Sequence, residues 1–427
     1  MTNWMAALAA HCKAARQQHP GDRLMVVFDA DGALIDRRRS FGAALRPYPG
    51  ALETVRWLET GLGCAVGLVS ARQESERAAM LAAFNAVGAS RRVRFEDARL
   101  HMRSEGWAGD DAAARAAGVG AFQAAGWRVV AVLDSAPEAL AAVAAGDEAS
   151  EILPLHAALD GASRAGTLPP HALSGDAYRL AELIAERDLP PDVDLVWHGL
   201  NDEPNVRQFL ASGIMWGECD IHLDPRTDRL VLHHDELDDA PADHVAALLT
   251  LDDLLARMRE RSKAVKLDLK GGGPLIGRAL ALVERHGFDD DHLWLNGYLP
   301  FLGEAGVRQL AEARPGAILQ APVDFMGALA VSLPDYTKAI LDTLRGWGMN
   351  RFSINFMSAE RPQFYDLMLR WGFEVNLYGV TDLETFLAAV LLHPRSVTTD
   401  FNFPQWHYYG RGSGQGGRYY EYDQRGR

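Results

Sequence analysis

The sequence predicts an α/β protein in two parts, an open parallel sheet followed by a (β/α)8 barrel, and three observations carry that prediction. Apolar strand-like runs alternate with Ala-rich helical stretches over 1–155, most clearly from about residue 22. A second alternation of strand–helix units fills 192–406. Between them, 156–191 holds Pro169-Pro170 and Pro190-Pro191 around a short stretch, AYRLAELIAERD, and reads as a helical linker. Alternation of this kind implies parallel strands wrapped by helices.

Bulk properties set the class. At 427 residues the chain is long for one domain, and 48% hydrophobic with 23% charged residues is ordinary globular composition. A formal charge of −14 argues against a nucleic-acid surface. Cys12, Cys64 and Cys219 are too scattered for a disulfide framework. The N-terminus reads as an amphipathic helix without a signal-peptide core, and no apolar run is long enough for a transmembrane segment, so a cytoplasmic enzyme is expected. Oligomeric state is left open.

In the first part the strands are RLMVVFDA, CAVGLVSA and WRVVAVLD, and the helices ALETVRWLET, SERAAMLAAF and APEALAAVAA. The first strand runs into D-x-D-G, Asp29 to Gly32, where glycine is expected to permit a tight turn. Ser70 and Asp134 close the other two strands. This set resembles the haloacid dehalogenase-like phosphatases, which implies a Rossmann-like parallel sheet of haloacid dehalogenase type. The resemblance implies Asp29 as the nucleophile forming an aspartyl-phosphate and Asp31 as acid and base. It implies Ser70 as a phosphate-binding hydroxyl and Asp134 as an Mg²⁺ ligand. The family's lysine is missing, since no lysine lies between 14 and 262, and Arg115 is the nearest cationic substitute. Guanidinium is bulkier and planar. An active phosphatase and a retained, inactive scaffold both stay open.

In the second part the strands are DLVWH, MWGECDIHL, AVKLDLK, HLWLN, AILQA, RFSINF, FEVNLYG and SVTTDF. Barrel active sites lie at the C-terminal ends of the strands. Those ends supply His198, then Glu218 and Asp220, then Asp268 and Lys270, Asn296, Gln320, Asn355, Asn376 with Tyr378, and Asp400. Glu218 and Asp220 are two apart in a strand and therefore share a face. The segment RLVLHHDE adds His233, His234 and Asp235. Side by side in an apolar setting, two carboxylates need a compensating charge. Hard oxygen donors suit Mg²⁺ or Ca²⁺, lysine can hold a phosphate oxygen, and two histidines can divide the proton transfers of phosphodiester cleavage.

WHGLN, GECDIHL, VLHHD, KLDLK, VNLYGVTD and VTTDFNFP together resemble the glycerophosphodiester phosphodiesterase-like superfamily. His198-Gly199-Leu200-Asn201 lacks the usual H-R-G arginine and is closer to the sphingomyelinase D and menorin-like branch. The resemblance implies catalytic His198 and His234, with His233 as the alternative, and metal ligands Glu218, Asp220 and Asp268. It implies a pocket completed by Lys270, Asn201, Asn355, Tyr378 and Asp400 for a small phosphodiester or phospholipid-type substrate. A non-catalytic phosphate-ligand binder is the competing expectation, and a working phosphatase with the barrel as its specificity module is a third. The Gly-, Arg- and Tyr-rich tail, 407–427, is expected to be a surface terminus.

Overall fold

The computed structural model describes residues 3–400 except 37, 39–44, 160–165 and 238–239. The tail and the last barrel stretch, 401–406, lie outside the described residues. The chain forms two compact units, Met1–Leu189 and Pro190–Arg427. Among the described residues no helix is long and apolar enough to cross a membrane.

Unit 1 is a six-stranded parallel sheet: β1 Leu24–Asp29, β2 Ala65–Gln73, β3 Leu100–Arg103, β4 Arg128–Asp134, β5 Leu153–Ala157 and β6 Leu173–Gly175, in the order β3-β2-β1-β4-β5-β6. Every residue of β1 is buried, as expected of a central strand covered on both faces. On one face Met25 and Val27 pack with Val119 and Phe122 of helix Asp111–Ala124 and Leu140 of helix Pro137–Gly146. On the other, Phe28 meets Tyr178 at 6.5 Å and Tyr178 meets Trp4 at 5.3 Å. Helix Trp4–Gln18 starts at Asn3, whose side chain accepts from Ala6 N, and buries Trp4, Met5, Leu8, Cys12 and Ala15 on one stripe.

The stretch expected as a helical linker is instead largely part of unit 1. Leu173–Gly175 forms β6, and its helical content shrinks to Leu180–Leu183 and a turn at Glu186–Asp188. Tyr178 Oη donates to Ala33 O at 2.8 Å and Trp4 Nε1 to Ala177 O at 2.9 Å. Leu180, Leu183 and Ile184 are buried. Its apolar residues are docking contacts rather than the face of a free helix.

Unit 2 is a closed barrel of eight parallel strands: β7 Asp194–Trp197, β8 Trp216–Asp224, β10 Ala264–Leu269, β11 Leu293–Gly297, β12 Ile318–Pro322, β13 Arg351–Asn355, β14 Glu374–Val380 and β15 Ser396–Thr399. β8 pairs with β10 to close the ring, and β9 Arg229–Leu232 runs antiparallel along β8. Gly217 faces helix Glu203–Ala211 so closely that a Cβ there would come within 2.7 Å of Phe209 Cζ and 2.4 Å of Leu200 Cδ1.

The barrel interior is layered by strand parity. Val196, Trp216, Ala264, Trp294 and Ile318 form an apolar floor. Beside it Arg351 is held by Glu374 at 2.9 Å and stacks 4.5 Å from the Trp294 ring centre. One residue pair further along, Glu218 lies beside Lys266, Asp220 beside Asp268, Asp268 beside Asn296, and Asn296 beside Gln320. The inner wall therefore changes from apolar to charged within one pleat, and the charged side faces the strands' C-terminal ends.

Candidate active site

A cavity of about 580 Å³ opens over these charged layers, lined among others by His198, Glu218, Asp220, His234, Asp268, Lys270, Asn296, Tyr378 and Asp400. Glu218, Asp220 and Asp268 each offer an oxygen within 4.8 Å of the others, and among the described residues they form the one such group of acids.

Each acid is held by neighbours that its strand position makes available. Glu218 accepts from the Gly199 N–H at 2.9 Å and lies 3.7 Å from His198 Nε2. Asn201 grips Asp220 twice, its Nδ2 donating to Oδ2 at 2.6 Å and its Oδ1 accepting from the Asp220 N–H at 3.0 Å. Asp268 accepts from Asn296 Nδ2 at 2.6 Å, and Asn296 in turn accepts from Gln320 Nε2 at 2.8 Å. Lys270 Nζ bridges the pair, 2.6 Å from Asp268 Oδ2 and 2.8 Å from Asp220 Oδ1. No aligned hydrogen bond completes that buried Asp220 oxygen, leaving only the ammonium beside it.

The electrostatics follow from this wiring. Burial, reinforced by Asp220, pushes the Glu218 carboxyl up to about 7. Burial also acts on Asp220, but Lys270 and His198 outweigh it and hold that acid below its usual range. Burial opposes charge on Lys270, yet Asp268 and Asp220 raise it. At His198 burial pulls the imidazole down, and the Asp400 carboxylate bonded to Nδ1, with Glu218 behind it, raises it to about 10. The His198 side chain is 37% exposed, so water screens part of that pairing. Lys266, fully inside the barrel, donates to Thr398 Oγ1 at 3.1 Å and lies 4.7 Å from the Trp294 ring centre, and burial lowers its pKa.

The remaining barrel residues expected at the site divide. His234 lines the cavity, paired with Asp235 Oδ1 at 2.8 Å. His233 instead stacks edge-on against His244, with Nδ1 2.8 Å from the Asp235 carbonyl oxygen. Tyr378 lines the cavity and donates to Asp324 Oδ2 at 2.5 Å, and Asp400 lines it too. Asn355 does not line it: its Oδ1 accepts from Met357 N at 2.8 Å and its own N–H donates to Asp324. At the end of β13 its side chain closes the next turn and also meets the Tyr378 hydroxyl. Lys270, expected on phosphate, is engaged with two acids. Sequence reasoning missed Lys266, Asp324, and the stacked pair Tyr298 and Phe301, about half exposed with centres 5.5 Å apart. Aromatic residues directly after β11, in NGYLPF, were the available signal for the last two.

Unit 1 gathers its own acids where the strand order reverses, between β1 and β4, the usual crevice of an open parallel sheet. Asp29 and Asp134 end those strands, and Arg115 Nη1 lies 3.1 Å from Asp29 Oδ2 and 3.2 Å from Asp134 Oδ1. Asp31 takes a fork from Arg72, Nε at 2.9 Å and Nη2 at 2.6 Å, and accepts from Ser70 Oγ at 3.0 Å. Burial raises Asp29 and, with Asp29 adding to it, raises Asp134 further. Gly32 has φ 173°, an extended value open to any residue. Its glycine is required by space instead, since a Cβ would sit 2.2 Å from Ser135 Oγ and 2.9 Å from Asp29 Oδ2.

No family model matches the chain and no curated protein matches it. Among solved structures it is similar to a glycerophosphodiester phosphodiesterase from Parabacteroides distasonis, at 13% identity and TM-score 0.39, over 52% of this chain and 99% of that one. An Oleispira antarctica phosphodiesterase in complex with the product sn-glycerol-3-phosphate gives 15% and 0.39, over 53% and 96%. A glycerophosphodiester phosphodiesterase from Agrobacterium tumefaciens gives 15% and 0.35, over 49% and 96%. Likeness at this level assigns no activity, so the functional reading rests on the residues of the site.

Proposed function

We propose that unit 2 is a metal-dependent phosphodiester hydrolase or transferase acting on a glycerophosphodiester or phospholipid-type substrate. The observation that carries this reading is one cavity holding three converging, largely buried carboxylates together with His198 and His234. Three hard oxygen donors within 4.8 Å of one another fit Mg²⁺ or Ca²⁺ on Glu218, Asp220 and Asp268. Bound there, the ion would supply positive charge to the phosphate as negative charge builds in the transition state. The residues do the rest. His198, kept protonated by Asp400 and Glu218, gives a proton to the leaving oxygen. His234 takes one from the attacking hydroxyl, of water or of the substrate itself. Lys270, at the cavity wall, can leave the acids and hold a non-bridging oxygen. Tyr298 and Phe301 give the mouth an apolar side suited to an acyl or alkyl substituent.

A second reading, a phosphate-ligand binder without turnover, is favoured by Lys270, which already serves as counter-ion to Asp220 and Asp268. Hydrolysis of bis(p-nitrophenyl) phosphate and of a lysophospholipid, titrated with Mg²⁺ and Ca²⁺, separates the two. Turnover that rises with cation and collapses in Glu218→Gln supports the enzyme. Phosphate-ester binding that needs no cation, with neither substrate turned over, sinks it.

For unit 1 the Mg²⁺ implied by the phosphatase resemblance does not fit, because a guanidinium already lies against both Asp29 and Asp134. No phosphatase step is derived through it.

A further inference from the structure

We propose that Arg115 occupies, in unit 1, the position a divalent cation would need, making this pocket a metal-free site of fixed charge that does not turn over phosphate monoesters. A single nitrogen, Nη1, lies within 3.2 Å of acids on two adjacent strands, at the point where the strand order reverses. The Arg115 side chain is only 10% exposed and reaches the acids from helix Asp111–Ala124, packed against the sheet.

The third acid of the cluster is also engaged. Asp31 is turned into the Arg72 fork and the Ser70 hydroxyl, away from any shared coordination with Asp29 and Asp134. Among the described residues, unit 1 accordingly presents no group of three converging acidic or histidine ligands, whereas unit 2 does. A guanidinium brings one charge where a divalent ion would bring two. Burial, with Arg115 against both acids, already disfavours further negative charge on the Asp29–Asp134 pair.

The test is Mn²⁺ binding to the full chain, followed by the electron paramagnetic resonance of free Mn²⁺, in a background of Glu218→Gln with Asp268→Asn that silences the barrel acids. With Arg115 intact, no Mn²⁺ site dependent on Asp29 is expected. Adding Arg115→Ala should create one, with affinity at least about tenfold higher, because a like charge at contact distance is removed. Asp29→Asn should abolish the new site. Arg115→Met, which keeps most of the volume, repeats the measurement should the alanine variant lose its near-ultraviolet circular dichroism. A Mn²⁺ site present with Arg115 in place and removed by Asp29→Asn overturns the proposal, and so does a folded Arg115 variant that gains no site. Failure of the barrel reading would show separately, as no difference in Mn²⁺ binding between the wild type and the barrel-silenced chain.

Discussion

The two units each place acids at the C-terminal ends of parallel strands, and each sets a basic side chain against them. In unit 2 that side chain is Lys270, an ammonium at the cavity wall paired with Asp220 and Asp268, and a third acid, Glu218, converges on the same two. In unit 1 it is Arg115, buried and anchored in a helix, with the third acid tied to Arg72. The same charge arithmetic leaves three converging acids beside an ammonium in one unit and two acids on one guanidinium in the other. The acids alone do not distinguish these arrangements. The burial of the counter-ion helps to, the Arg115 side chain being 10% exposed and that of Lys270 21%.

The largest effect that would sharpen this contrast is on the barrel acids. Glu218→Gln or Asp268→Asn should lower diesterase kcat/KM by on the order of 10²–10³-fold, measured at saturating Mg²⁺. Retained activity in either would put the cation elsewhere and dissolve the contrast. Next is the His198–Asp400 pair. His198→Gln should cost about 10²-fold in kcat. Asp400→Asn removes the charge that raises His198 to about 10, so the alkaline limb of the pH–rate profile should move down. An unmoved limb would separate His198 from proton transfer.

A stability measurement reaches Glu218 without any turnover. Its carboxyl is raised from 4.5 to about 7, so between those values the folded state binds more protons than the unfolded. Wild-type stability in metal-free buffer should therefore fall, relative to Glu218→Gln, as pH rises from 4.5 through about 7, and level off above. Denaturant midpoints at three pH values would show it, and a gap that widens instead toward acid pH would contradict the assignment. The smallest effect belongs to unit 1: Gly32→Ala should cost about 1–3 kcal/mol of stability from crowding against Ser135. Diesterase activity below the unfolding transition should stay unchanged. A drop in barrel activity would couple two sites that this comparison treats as independent.

Much of the barrel was legible because parity is local. Glu218 and Asp220, or Asp268 and Lys270, reveal a shared face from two residues of spacing, and the structure brings all four to one cavity. Asn355 has the same parity, yet it turns to Met357 N, because the final residue of a strand can be taken by the following turn. What stayed hidden depends on distant partners. Asp324 meets Tyr378 across 54 residues and Arg72 meets Asp31 across 41, and neither spacing carries a periodic signal. Lys266 shares the parity of Asp268 and Lys270, but its place deeper in the strand reads as support for the barrel wall rather than as part of the cavity until the barrel closes over it. Short strands such as β3 and β6 have too few residues to show alternation, so Leu173–Gly175 reads as a connection in the sequence.

The floor of Val196, Trp216, Ala264, Trp294 and Ile318, with Arg351 packed against Trp294, makes the barrel a cul-de-sac. Whatever enters the cavity must leave by the same doorway. If the barrel splits a diester as proposed, the uncharged alcohol half would depart first. The phosphate-bearing half would be held near Lys270 and would compete with the next substrate. Such an enzyme should be inhibited competitively by its own phosphomonoester product, and its pace at high substrate should be set by departure rather than by bond breaking.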